Sequence, residues 1–241
     1  MTEAEFLEFA RSAALRATSN LGRIGHLVCT RANAKGERTL REPEMRAAFQ
    51  QEAEERGLLY GIEVPTHYTY RFVDNKGELR RRALVDFALL GSDSTTADRD
   101  VLVEFKQGQP NRVLPTEDTP LDYPKITKDL HKLWAEPGPH GRCMFHICQA
   151  ADSGTFSVIK DKYNAATQNA LSLASETRRQ NLGAAQDETE SDDWLVLLIL
   201  VLHQRFGKTG SYLHRAKWDG SRWAFIGAEL LSPATTARVQ P

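Results

Sequence analysis

The run "WLVLLILVL", from Trp194 to Leu202, is nine consecutive apolar residues. A membrane-spanning helix needs about 20. The segment therefore reads as a buried strand. The rest of the chain has ordinary globular proportions: 41% hydrophobic and 26% charged residues over 241 positions. That length suits one large domain. The N-terminal "MTEAEFLEFARSA" is acidic and amphipathic and lacks the basic start and apolar block of a signal peptide. Three cysteines, Cys29, Cys143 and Cys148, make no disulfide framework. A cytoplasmic protein without membrane association is the expectation.

The periodicity predicts a helix over residues 3–19, striped by Phe6, Phe9, Ala10, Ala13 and Ala17. A second helix is predicted through "REPEMRAAFQQEAEER", with Pro43 in its first turn and Gly57 beyond its end. Three strands follow as a meander: "IEVPTHYTYRF", "LRRRALVDFALL" and "DVLVEFKQG". The helix "DYPKITKDLHKLWAE" has Ile126, Leu130, Leu133 and Trp134 along one seam, and "CMFHICQA" is a fourth strand. Residues 157–182 read as largely helical, and 183–193 as an acidic loop. After the apolar strand comes a hairpin joined at Asp219-Gly220, a strong turn signal. The order predicts an α/β (α+β) fold with a mixed sheet.

Two of these strands carry an acid amid apolar neighbours: Asp86 in "ALVDFALL" and Glu104 in "VLVEFKQG". Alternation puts Leu102, Glu104 and Lys106 on one face of their strand, and Val101, Val103 and Phe105 on the other. If the strands pair, Asp86 lies beside Glu104. Two adjacent carboxylates repel unless a cation stands between them. Oxygen ligands of this kind suit Mg²⁺ or Mn²⁺. Lys106 is then placed to orient a water or offset developing charge.

An acid on one strand followed by E-x-K on the next, here Asp86 and then Glu104 and Lys106, resembles the PD-(D/E)xK nuclease superfamily. The resemblance covers residues 40–150, with the helical and hairpin region 151–241 as an extension of a single domain. It implies a restriction-endonuclease-like mixed sheet flanked by helices, and Mg²⁺ or Mn²⁺ held by Asp86 and Glu104. It implies phosphodiester hydrolysis, in DNA rather than RNA, with anti-phage defence or repair as the setting. It also implies a glutamate on the helix before the first strand: Glu44 is the choice and Glu42 the alternative. The residue before Asp86 is Val85 rather than the motif's proline. Cutting both strands of a duplex implies a homodimer or a partner that delivers substrate. A nuclease-fold module that binds nucleic acid or a protein without turnover is the rival reading.

The formal charge of -1 gives no global basic footprint, so any nucleic-acid contact must be local. Lys125, Lys128 and Lys132 share a helix face and are candidate phosphate contacts. Asp129 is their alternative, helical-spacing partner. Cys143 and Cys148 fall on opposite strand faces, which argues against zinc. No phosphate-binding G-x-x-x-x-G-K-[ST] loop is present.

Overall fold

The computed structural model describes residues 1–27, 40–66, 72–73, 79–80, 84–91, 99–108, 125–136, 140–149, 163–175, 193–205 and 208–233. Among the described residues the helices are α1 (Glu3–Leu27), α2 (Glu42–Glu55), α3 (Lys125–Ala135) and α4 (163–175). The strands are β1 (Tyr60–Pro65), β2 (Phe72–Val73), β3 (Leu79–Arg80), β4 (Leu84–Leu90), β5 (Arg99–Gln107), β6 (Gly141–Gln149), β7 (Trp194–Arg205), β8 (Lys208–Trp218) and β9 (Trp223–Pro233). Seven of them form one mixed sheet in the order β1-β4-β5-β6-β7-β8-β9. β2 and β3 pair separately.

The strand pairing follows the connections. β1, β4 and β5 are antiparallel, as a meander requires. β5, β6 and β7 are parallel, and each crossover passes through a helix, α3 and then α4. Parallel strands need cover on both faces. That is why β7, the apolar run, is buried on both sides: Val196, Leu198 and Leu200 enter one core, and Leu197, Ile199 and Val201 the other. The hairpin β8–β9 continues the same sheet as its far edge.

Of the predicted long strands, the first is described as β1 and β2 and the second as β3 and β4, and residues 67–71 and 81–83 lie outside the described set. The strand pairing stops at Trp218↔Trp223, so the turn spans residues 219–222, and within it Asp219 N–H donates to the Arg222 carbonyl. Asp219 Oδ1 accepts from the N–H groups of Ser221 and Arg222, and Gly220 supplies φ +96. The first helix runs past the expected end at 19 to Leu27. The expected acidic loop at 183–193 lies outside the described residues except for Asp193.

α1 and α2 cover one face. Phe49 of α2 stands at the centre of that core, edge-on to Phe9, Phe87, Phe105 and Phe145 at centroid distances of 5.0–5.6 Å. Each such pair adds about 0.5–1.5 kcal/mol beyond its buried area. α3 and α4 cover the opposite face with Ile126, Leu130, Leu133, Tyr163 and Ala170 over Leu102, Met144 and Leu197. Phe105 is thus anchored under α2 while its neighbours Glu104 and Lys106 face α3.

Candidate functional site

The site begins where β4 and β5 part. Their pairing runs from Leu90↔Arg99 to Phe87↔Val103 and there ends, one step before Asp86 would meet Glu104. On its other edge β5 stays paired with β6 through Gln107↔Ile147. The freed N–H groups of β5 need acceptors, and carboxylates supply them. Phe105 N–H donates to Asp86 Oδ2 at 2.9 Å, and Gln107 N–H donates to Glu42 Oε1 at 2.8 Å. Two acids from two elements therefore take over the ladder where the strands diverge.

Glu42 is the glutamate that α2 directs to β5. Glu44 is not brought there. Its Oε2 accepts from the Arg41 N–H at 2.8 Å, and its Oε1 accepts from Arg41 Nε at 2.8 Å. The reason lies in the start of the helix: Glu44 is the third helical residue, and a glutamate there turns back to cap the residue preceding the helix.

On the sheet face under α3, Glu104 is 1% exposed. Its carboxylate forms an ion pair with Lys132. Lys132 Nζ also donates to the Leu84 carbonyl at 2.6 Å and lies 3.7 Å from Asp129 Oδ1. Lys106 Nζ pairs with Asp129 Oδ2 at 2.6 Å. Of the lysines expected on a solvent-facing phosphate-contact stripe, Lys132 is instead buried and points at Glu104. Lys128 is partly buried, and the side chain of Lys125 lies outside the described residues.

The electrostatics follow from an excess of acid. Glu42, Asp86, Glu104 and Asp129 face Lys106 and Lys132, a formal surplus of two negative charges when all are ionised. Burial pushes the Glu104 carboxyl well above its ordinary value, with Asp129 and Asp86 adding to the rise against the pull of Lys132. Burial likewise raises Glu42, partly offset by Lys106. Desolvation opposes the charged form of Lys106, but Asp129 and Glu104 outweigh it and hold the ammonium above its ordinary range. Lys132 is raised in the same way by Glu104 and Asp129 against its burial. Both ammonium groups are thereby held in the charged form against their burial.

Two neighbours complete the surroundings. His146 sits beside Lys106 in the β5–β6 register. Its ring bonds the Tyr163 hydroxyl and reaches the Gly108 carbonyl at 3.3 Å. Burial drops its pKa to about 4, so the ring is neutral at pH 7. On the β1 side, the register places Glu63 opposite Asp86, and Glu63 has a left-handed backbone at φ +50. It is the only non-glycine with positive φ among the described residues. Strain of that kind gathers at functional sites.

The donor set is oxygen only, surplus in negative charge, and hydrogen-bonded through Asp86 and Glu42 to a rigid strand. Its chemistry suits a hard divalent ion bound by one or two carboxylates and water. Among the described residues, no three His, Cys, Asp or Glu side chains form a ready-made metal cage. Cys143 and Cys148 enter opposite cores, as alternation predicts. Asp129 is the member that sequence reading left outside the site. Its signal is its place on the helix, one step aside from the Ile126–Leu130–Leu133 seam that faces the sheet. Comparison with protein-family models and with curated proteins returns no match.

Proposed function

We infer that this chain is a metal-dependent nuclease of the PD-(D/E)xK type with a restriction-endonuclease-like core. The observation that carries the reading is the junction of β4 and β5, where Asp86, Glu104, Lys106 and Glu42 converge from three elements onto one strand end. Asp86 and Glu104 would hold Mg²⁺ or Mn²⁺. A bound ion of this kind neutralises the carboxylates, acidifies a water and polarises a phosphoryl oxygen.

The chain's own groups take distinct parts. Lys106 stays protonated at neutral pH, so it cannot accept the water's proton. It acts by donating hydrogen bonds and offsetting charge on the phosphoryl oxygens. Its ammonium swings from Asp129 to do so. Glu42 fixes the end of β5 through the Gln107 N–H and so holds Lys106 in place. Water attacks phosphorus, the bond to the 3′ sugar oxygen breaks, and the water's proton passes through solvent to that leaving oxygen, giving a 5′-phosphate and a 3′-hydroxyl. DNA is the preferred substrate on the strength of the motif's likeness, and defence or repair in a cytoplasmic setting is the context such nucleases serve. Among the described residues no helix is long and apolar enough to cross a membrane.

One observation favours a second reading, a nuclease-fold binding module without turnover: Lys132 is already paired with Glu104. The two part in one experiment. Plasmid, linear duplex, single-stranded DNA and RNA are incubated with Mg²⁺, Mn²⁺ or chelator. The nuclease reading expects metal-dependent cleavage, lost by roughly a hundredfold or more in folded Glu104→Gln and Lys106→Met. Binding without cleavage supports the silent module. Neither binding nor cleavage rejects both.

A further inference from the structure

Lys132 stands where a metal ligand would need to be free. Its ammonium is buried with the side chain 8% exposed, and it faces oxygen on several sides: Glu104 of β5, the Leu84 carbonyl of β4, and Asp129 of its own helix. An ammonium has three N–H donors; Glu104 and the Leu84 carbonyl are in close contact with it, while Asp129 Oδ1 at 3.7 Å stands just beyond hydrogen-bond reach. Two carboxylates and a main-chain carbonyl are also the ligand types of a hard cation. Lys106 does not share this position, because it is held by the other oxygen of Asp129.

Resting on the nuclease reading above, we propose that Lys132 is a resident counter-cation. It holds Glu104 in the metal-free protein, gives way when a divalent ion binds, and so sets how much free metal the site requires. The geometry supplies a retreat. Asp129 Oδ1 is 3.7 Å from the ammonium and one helical turn from Lys132, so a small torsion on a flexible four-carbon stem exchanges Glu104 for Asp129. The charge balance supplies the motive. The four acids exceed the two ammonium groups by two charges, which a divalent ion cancels. Without Lys132 the site is more negative and Glu104 has no resident partner. Metal then binds without having to displace a competing cation.

The test is calorimetric titration with MnCl₂ of the full chain and of Lys132→Met, Lys132→Gln, Lys132→Arg and Asp86→Asn. Thermal melts in chelator and in MnCl₂ accompany it. Lys132→Gln keeps a donor for the Leu84 carbonyl and removes the charge, and so serves if Lys132→Met does not fold. The proposal expects the neutral variants to bind Mn²⁺ roughly tenfold tighter or more, with a larger metal-dependent rise in melting temperature. It expects Lys132→Arg to bind no tighter than the parent. Unchanged or weaker binding in a folded neutral variant overturns the role of Lys132. In that case parent binding that is lost in Asp86→Asn leaves the metal site standing. Absence of Mn²⁺ binding in parent and neutral variants alike removes both the counter-cation and the metal-dependent nuclease.

Discussion

Replacing Glu104 with glutamine tests the buried pair directly, because the substitution keeps shape and removes charge. Lys132 is left with the Leu84 carbonyl at 2.6 Å and Asp129 at 3.7 Å. Breaking a buried ion pair from one side costs about 3–5 kcal/mol, since the remaining charge stays desolvated. Asp129 is close enough to take over part of the compensation, so the lower end, about 3 kcal/mol, is expected. For a chain of this size each kcal/mol moves the melting temperature by about 2–4 °C. The single variant should therefore melt roughly 6–12 °C below the parent at neutral pH in chelator. Adding Lys132→Met removes the stranded charge. The double variant should recover most of the loss, giving a coupling energy of about 2 kcal/mol or more in the double-mutant cycle. Denaturant unfolding followed by circular dichroism measures all four corners. Additive losses, with no recovery in the double variant, would refute the claim that these two charges compensate each other in the core.

Two further outcomes follow from the same region. His146 is neutral when folded and its pKa falls to about 4 from the ordinary 6.5 through burial. The unfolded chain therefore binds the extra proton between those values, and stability drops as pH falls from about 6.5 towards 4, by about 3 kcal/mol for this group. His131, also lowered to about 4 by burial, steepens the slope. His146→Gln should flatten the dependence of the unfolding midpoint on pH across that window, and an unchanged slope would place the ring in water. Glu63→Gly relieves a left-handed backbone worth about 1–2 kcal/mol, against the exposed pair with Arg46 and about 0.5 kcal/mol of added unfolded-chain freedom. A melting temperature higher by a few degrees is expected, and a fall of similar size would show that φ +50 carries no strain.

What could be read from the sequence depended on whether a residue's partners were local. Face alternation in β5 is a property of consecutive residues, so Glu104 and Lys106 were legible on one face with Phe105 behind them. The apolar run of β7 announced its own burial. Helix position alone does not separate Glu44 from Glu42; Glu44 turns to Arg41 in a capping contact that begins outside the helix, while Glu42 reaches the Gln107 N–H. Lys132 looked solvated because its partners, Glu104 and Leu84, are 28 and 48 residues earlier, on strands that α3 crosses. Periodicity shows which face of a helix is apolar. It does not show that a charged residue on the flank of that face meets an opposite charge on the sheet below.

The strongest single test is anomalous X-ray scattering from crystals of the parent protein soaked in Mn²⁺. One peak is expected at the parting of β4 and β5, within about 2.2 Å of oxygens from Asp86 and Glu104, with the Lys132 ammonium moved off Glu104. Crystals fully exchanged into Mn²⁺ that show no peak there, and Lys132 still against Glu104, would contradict this expectation.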